Sequence, residues 1–103
     1  MLDLISIGDA TLDTFLELDD ASVFCNMDTN ACQLCLNYAD KIPVKRLEQQ
    51  IAGNACNVAA GFARLGLKTA FYSIVGNDET GQRIINGMKR EGVLLTYMET
   101  DKH

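Results

Sequence analysis

The apolar positions of this chain fall into distinct patterns, and each predicts an element. Leu2 to Ile7 is short, mostly aliphatic and ends at Gly8-Asp9, which predicts a buried strand followed by a turn. From Asn54 onward, Ala55, Val58, Ala59, Phe62 and Leu65 recur at spacings of three and four, and Gly66 sits where a left-handed residue would stop the helix. Thr69 to Val75 is β-branched and aromatic, predicting a second buried strand closed by Gly76-Asn77-Asp78. Asp78 is placed to cap a second helix, in which Ile84, Ile85 and Met88 form the apolar stripe. Lys89-Arg90 suit the negative end of that helix's dipole, Gly92 ends it, and Val93 to Tyr97 reads as a third strand.

Between Thr11 and Gln50 the pattern weakens into short alternating pieces around Asp-, Asn- and Thr-rich turns. Cys32 to Tyr38 and Ile42 to Val44 are the best strand candidates there, and residues 14–50 read as an insertion. The rest follows the order strand, helix, strand, helix, strand, which is the grammar of a parallel sheet crossed by helices. The expected fold class is α/β: a partial Rossmann-like parallel sheet with flanking helices and a small β-sheet insertion, in one partial domain spanning 1–103. Three strands fall short of the roughly five or six of an independent open sheet. Glu99 to His103 follow the third strand directly, which would leave one sheet edge open.

Composition narrows the class. With 48% apolar and 22% charged residues, eight glycines and one proline, the chain is neither disordered nor fibrous, and a packed core is expected. Its net charge of −5 is unevenly spread: residues 1–40 hold eight acids and no Lys or Arg, while all nine bases lie beyond residue 40. Such a surface argues against nucleic acid and anionic membranes as partners. No apolar run approaches the roughly 18–20 residues of a membrane span, and MLDLISIGD lacks the features of a leader, so a cytoplasmic protein is expected.

Four cysteines, Cys25, Cys32, Cys35 and Cys56, are then expected as reduced thiols. Cys32-Gln-Leu-Cys35 invites a zinc or redox reading, yet the only histidine is His103, and residues three apart on a strand point to opposite faces. Packing, or half-exposed thiols, is the favoured role.

Ligands of open α/β sheets bind beyond the carboxyl ends of the strands, where helix N-termini and loops converge. The residues there are Gly8, Asp9, Thr11 and Asp13 after the first strand, Gly53, Asn54 and Asn57 at the opening of the first helix, and Gly76, Asn77 and Asp78. Carboxylates accept from neighbouring hydroxyls and carboxamides both donate and accept, so this set suits a polyol such as a sugar. The plainer alternative makes Asp9 and Asp78 turn or cap residues and Asn54 an N-cap. Asp13 and Asn57 are harder to dismiss, since an amide one turn into an apolar helix needs a polar partner if it is buried. Gly61 and Gly66 have P-loop spacing, but Leu67 stands at the lysine position and the segment runs from helix to strand, so no phosphate loop is assigned.

The run Ala52-Gly53-Asn54-Ala55-Cys56-Asn57-Val58-Ala59, followed by Gly66 and Gly76, resembles the N-terminal signature of the PfkB-type, ribokinase-like carbohydrate kinases. Gly8 to Asp13 resembles that family's first loop, and Gly76 to Gly81 its turn after the signature strand. The resemblance implies a ribokinase-like sheet, with residues 14–50 as the β lid over the sugar and a homodimer formed through that lid. It implies that Asp13 holds sugar hydroxyls, that Gly53 and Asn54 approach the sugar, that Asn57 bonds another hydroxyl, and that Thr11 is a weaker contact. Ala52 replaces the first glycine of the usual diglycine.

The implied activity is transfer of the γ-phosphate of ATP, with Mg2+, to a sugar or nucleoside hydroxyl. Family members are much longer, and their C-terminal half carries the nucleotide pocket and a Gly-Ala-Gly-Asp motif with the catalytic aspartate. Neither is in these residues, so no catalytic, cofactor or metal residue is expected here, and the chain is expected to bind acceptor without turnover. The rival readings are a non-catalytic sugar-binding module or a subunit completed in trans, with a zinc or redox protein last.

Overall fold

The computed structural model describes residues 1–102, in the order β1 (Leu4–Ile7), β2 (Thr11–Leu18), β3 (Ser22–Asn26), β4 (Ala31–Cys35), β5 (Val44–Ala52), α1 (Asn54–Arg64), β6 (Thr69–Tyr72), β7 (Ile74–Gly76), α2 (Glu79–Arg90) and β8 (Glu99–Asp101). The chain forms two compact units, one of Met1–Asp13 with Gln49 onward and one of Thr14–Glu48.

In the first unit β1 pairs in parallel with β6, from Leu4 opposite Thr69 to Ile7 opposite Tyr72. A parallel bridge joins Ala70 to Leu94, whose N–H donates to the Thr69 carbonyl at 2.9 Å. The expected strand Thr69–Val75 is interrupted at Ser73, after which β7 pairs in parallel with β8. The expected third strand, Val93 to Tyr97, is therefore corrected to a single bridge at Leu94. Thr96-Tyr97 form a turn closed by Met98 N–H on the Leu95 carbonyl at 3.1 Å, and regular pairing resumes only at Glu99. Glu99–Asp101 are thus a strand paired with β7 and not a tail that follows a strand.

Both helices start and stop as their sequences dictate. Asp78 accepts from Gly81 N–H at 2.8 Å and caps α2. At the end of α1, Gly66 takes a φ of 89° and lets Leu67 N–H reach back to the Phe62 carbonyl; at the end of α2, Gly92 takes 79° and Val93 N–H reaches the Met88 carbonyl. These are Schellman stops, which satisfy carbonyls that would otherwise be unpaired.

One core holds this unit together: Cys56 and Ala59 of α1, Phe71, Val75, Ile84 and Met88 of α2, and Val93. A side chain such as Phe71, fully removed from water, contributes about 1.5–3 kcal/mol by burial. Because both helices feed the same cluster, they cover one face of the sheet. On β1 that face belongs to Ser6, whose Oγ donates to the Ala55 carbonyl at 2.7 Å. Ile5, Ile7 and Ile74 look the other way and are 49%, 70% and 57% exposed. The expected burial of the first strand therefore holds for one face only.

In the second unit β3 and β4 form an antiparallel hairpin running from Ser22 opposite Cys35 to Asn26 opposite Ala31. Within it Cys25 stands directly opposite Cys32, and the two are joined by a disulfide. This corrects the expectation of reduced thiols: cross-strand register brings together two cysteines seven residues apart, while Cys35 and Cys56 are free. The strand expected over Cys32–Tyr38 ends at Cys35, and the piece Ile42–Val44 gives way to the longer β5, which pairs with β2. Lys45 lies 3.6 Å from Glu17 and 3.7 Å from Asp19, and Arg46 lies 3.7 Å from Glu17, so bases from beyond residue 40 offset acids from before it.

The ends of α1 and α2 are tied by Arg64, whose Nε lies 2.6 Å from Glu91 Oε2 while Nη2 meets Oε1. The hydrogen bond and charge of Arg64 hold the Glu91 carboxyl below its ordinary value of 4.5. A depressed carboxyl pKa stabilises the fold above the unfolded value, and that contribution is lost as pH falls through the folded one. Glu91→Gln should lower the thermal midpoint slightly at pH 7, as suits a solvent-screened pair, and the difference from wild type should close as the pH falls below 4.5. Melting curves across that range check it.

Candidate functional site

The chain leaves β1 through Gly8 and enters β2 at Thr11, and this first loop lies against the start of α1. Gly53, the residue before α1, has a φ of 106°, and a Cβ there would stand 2.7 Å from the Asp9 carbonyl oxygen and 3.1 Å from Ala10 Cα. A side chain is excluded twice, by the left-handed backbone and by the loop. Gly53 also leaves α1 with no side-chain cap of its own. Asp9 answers this from the loop, accepting a long hydrogen bond from Ala55 N–H at 3.5 Å. A carboxylate at that position favours the positive end of the helix dipole.

Asp9 has a second effect. Burial first, and the Asp9 charge second, push the Cys56 thiol above its ordinary value. Cys56 Sγ packs 3.2 Å from Met88 Sδ, so this thiol is a neutral core group.

The sequence-derived site residues are placed as follows. Thr11 Oγ1 donates to Asp13 Oδ1 at 3.3 Å, with both residues exposed at the start of β2. Asn54 is the first residue of α1 and is exposed. Asn57, one turn on, is exposed too, so the demand for an internal partner does not arise. It lines a cavity of about 430 Å³ whose floor includes Cys56 and Met88 and whose rim includes Gln50, Arg64 and Glu91. Asp13, Thr11, Gly53 and Asn54 do not line that cavity. The cavity thus takes in Asn57 and leaves out Asp13, whose carboxylate accepts from Thr11. Asp78 is occupied as a cap, and Asn77 N–H continues the β7–β8 ladder to the Asp101 carbonyl at 3.0 Å.

Sequence reasoning missed the reach of Asp9 to a helix 46 residues away, and nothing local signals it. Among the described residues no group of three or more His, Cys, Asp or Glu side chains is assembled to hold a metal ion. Among the described residues no helix is long and apolar enough to cross a membrane.

A parallel sheet with helices on one face, a β excursion and a first loop seated on a glycine-started helix defines a ribokinase-like α/β protein. Its structure superposes on the PfkB protein from Polaromonas sp. JS666 with a TM-score of 0.70 and 25% identity, over 98% of this chain and 28% of that one. It also matches a sugar kinase, PH1459, from Pyrococcus horikoshii in complex with ATP, with a TM-score of 0.65 and 26% identity, over 96% of this chain and 26% of that one. Residues 19–103 match the pfkB family carbohydrate kinase domain, and the chain belongs to that family.

Among curated relatives, it is 44% identical over 56 residues to the 2-dehydro-3-deoxygluconokinase of Bacillus subtilis, covering 54% of this chain and 17% of that protein. It is 38% identical over 52 residues to the 5-dehydro-2-deoxygluconokinase of Geobacillus kaustophilus, covering 50% of this chain and 16% of that protein. The chain thus spans only a small part of the length of the curated relatives it matches. The family match includes Gly53, Asn54 and Asn57, while Thr11 and Asp13 precede it.

Gly53→Ala should cost at least about 1–3 kcal/mol, the scale of backbone strain, and should also unseat the first loop. Urea unfolding reads the first effect. Amide hydrogen exchange at residues 8–13 that quickens beyond the acceleration that lower global stability gives the α2 core reads the second.

Proposed function

We propose that this chain is the acceptor-binding part of an ATP-dependent carbohydrate kinase. The observation that carries this reading is the close seating of the first loop on the opening of α1, where the Gly53 backbone meets Asp9 and Ala10. That contact ties the segment bearing Thr11 and Asp13 to the helix turn bearing Asn54 and Asn57. Asp13 accepts from sugar hydroxyls, Asn54 and Asn57 donate to or accept from others, and Thr11 orients Asp13 through their shared hydrogen bond. The bare backbone at Gly53 lets the acceptor approach closely. These groups bind and orient a hydroxyl, and fixing its position is a large part of what phosphoryl transfer asks of a protein.

The donor side is a separate matter. Relatives of this fold have been crystallised with ATP, and ATP with Mg2+ is the donor we assign to the whole enzyme. The described residues offer no cluster of carboxylates for the metal. The names of the similar curated proteins point to deoxygluconates, sugar acids, as the acceptor class. The exposed Ile5, Ile7 and Ile74 favour cover of that face by further protein, since parallel sheets are packed on both faces.

Calorimetric titration of the chain with 2-dehydro-3-deoxygluconate, 5-dehydro-2-deoxygluconate, ribose and fructose tests the acceptor role. The deoxygluconates should bind more tightly than ribose, and Asp13→Ala and Asn57→Ala should each weaken binding about ten- to hundredfold, the range of a hydrogen bond to or from a charged or well-placed group. The same panel should drive no ATP consumption by this chain. Unchanged affinity in both variants removes the site assignment, and robust turnover removes the division of labour.

A further inference from the structure

The four cysteines are not equivalent. Cys25 and Cys32 are exposed and directly opposed across the β3–β4 hairpin, Cys35 is half-buried, and Cys56 is buried in the core. Cys35 stands opposite Ser22 and lies three residues from Cys32 on the same strand, so its side chain belongs to the other face of the hairpin. The hairpin itself has little else to hold it. It is a two-stranded sheet, and every residue of β3 and all of β4 except Cys35 are exposed. Two strands without a core are marginally stable in water. A covalent tie between opposed residues is then the strongest constraint on this segment, and it lies where small thiols and disulfides can reach it.

We propose that Cys25 and Cys32 form a reversible thiol–disulfide site that sets the order of the β3–β4 hairpin, with low-molecular-weight disulfides as the oxidant and low-molecular-weight thiols as the reductant. In oxidation, one thiolate of the pair attacks a sulfur of the small disulfide, forming a mixed disulfide and releasing one small thiolate. The second protein thiolate attacks the protein-bound sulfur, closes the Cys25–Cys32 bond and releases the other. Two electrons pass from the protein thiols to the small disulfide, which leaves as two thiols once protonated. Reduction runs the same steps backward. Cys35 and Cys56 take no part, the first because of its face and the second because of its burial.

The test equilibrates the chain with reduced and oxidised glutathione at graded ratios, traps it by differential alkylation and maps the label by fragment mass spectrometry. Wild type and Cys35→Ser should lose two hydrogens in mass, mapped to Cys25 and Cys32, reversibly across the series. Cys25→Ser and Cys32→Ser should each stop at a single glutathione adduct on the remaining partner. Amide exchange at residues 22–26 and 31–35 should slow severalfold on oxidation and recover on reduction, with the α1–α2 unit unchanged. Oxidation mapped to Cys35 or Cys56, a bond that no glutathione ratio opens or closes, or hairpin exchange indifferent to its state would each overturn the proposal.

Discussion

The approach of two stretches of backbone, at Gly53 and at Asp9-Ala10, is the constraint on which the carboxyl edge of this sheet depends. A helix start without a side-chain cap is left with unsatisfied amides, and a glycine with positive φ cannot supply the missing group. The first loop meets both needs: its carbonyl fits the space where a Cβ would be, and its Asp9 carboxylate faces the exposed end of α1. A local deficit in one element thus becomes a tertiary contact with another, and the polar residues on either side of that contact inherit their places from it.

Much of the α/β unit was legible in the sequence because its signals are short-range. The three-and-four spacing of Ala55, Val58, Ala59, Phe62 and Leu65 and the stop at Gly66 mark α1, and Asp78 and Gly92 bracket α2. The failures have separate causes. The Val93–Tyr97 run has strand composition, yet a turn at Thr96-Tyr97 outweighs propensity there. In β5 the stretch from Val44 to Gln50 is exposed throughout, so it carries no apolar alternation from which a strand could be read. The Cys25–Cys32 pairing depends on hairpin register, which composition does not encode.

The candidate site was proposed from the sequence by a different route. Asp13, Asn54 and Asn57 stand out as polar groups at positions where an open sheet gathers ligands, and the Ala52–Ala59 run lies within the stretch that matches the family. Which neighbours each residue meets was not legible. Asn57 faces a hollow between two helices whose rim is tied by Arg64 and Glu91, and the Asp9–Ala55 contact joins positions far apart in the chain. Such relations arise only once the sheet is assembled.

The isoleucines on the unclad side of the sheet also govern how isolated copies behave in water. Ile5, Ile7 and Ile74 form an aliphatic strip that two molecules can hide by meeting face to face. Since the drive to hide such a strip weakens on cooling, cold and dilute samples keep separate molecules longest.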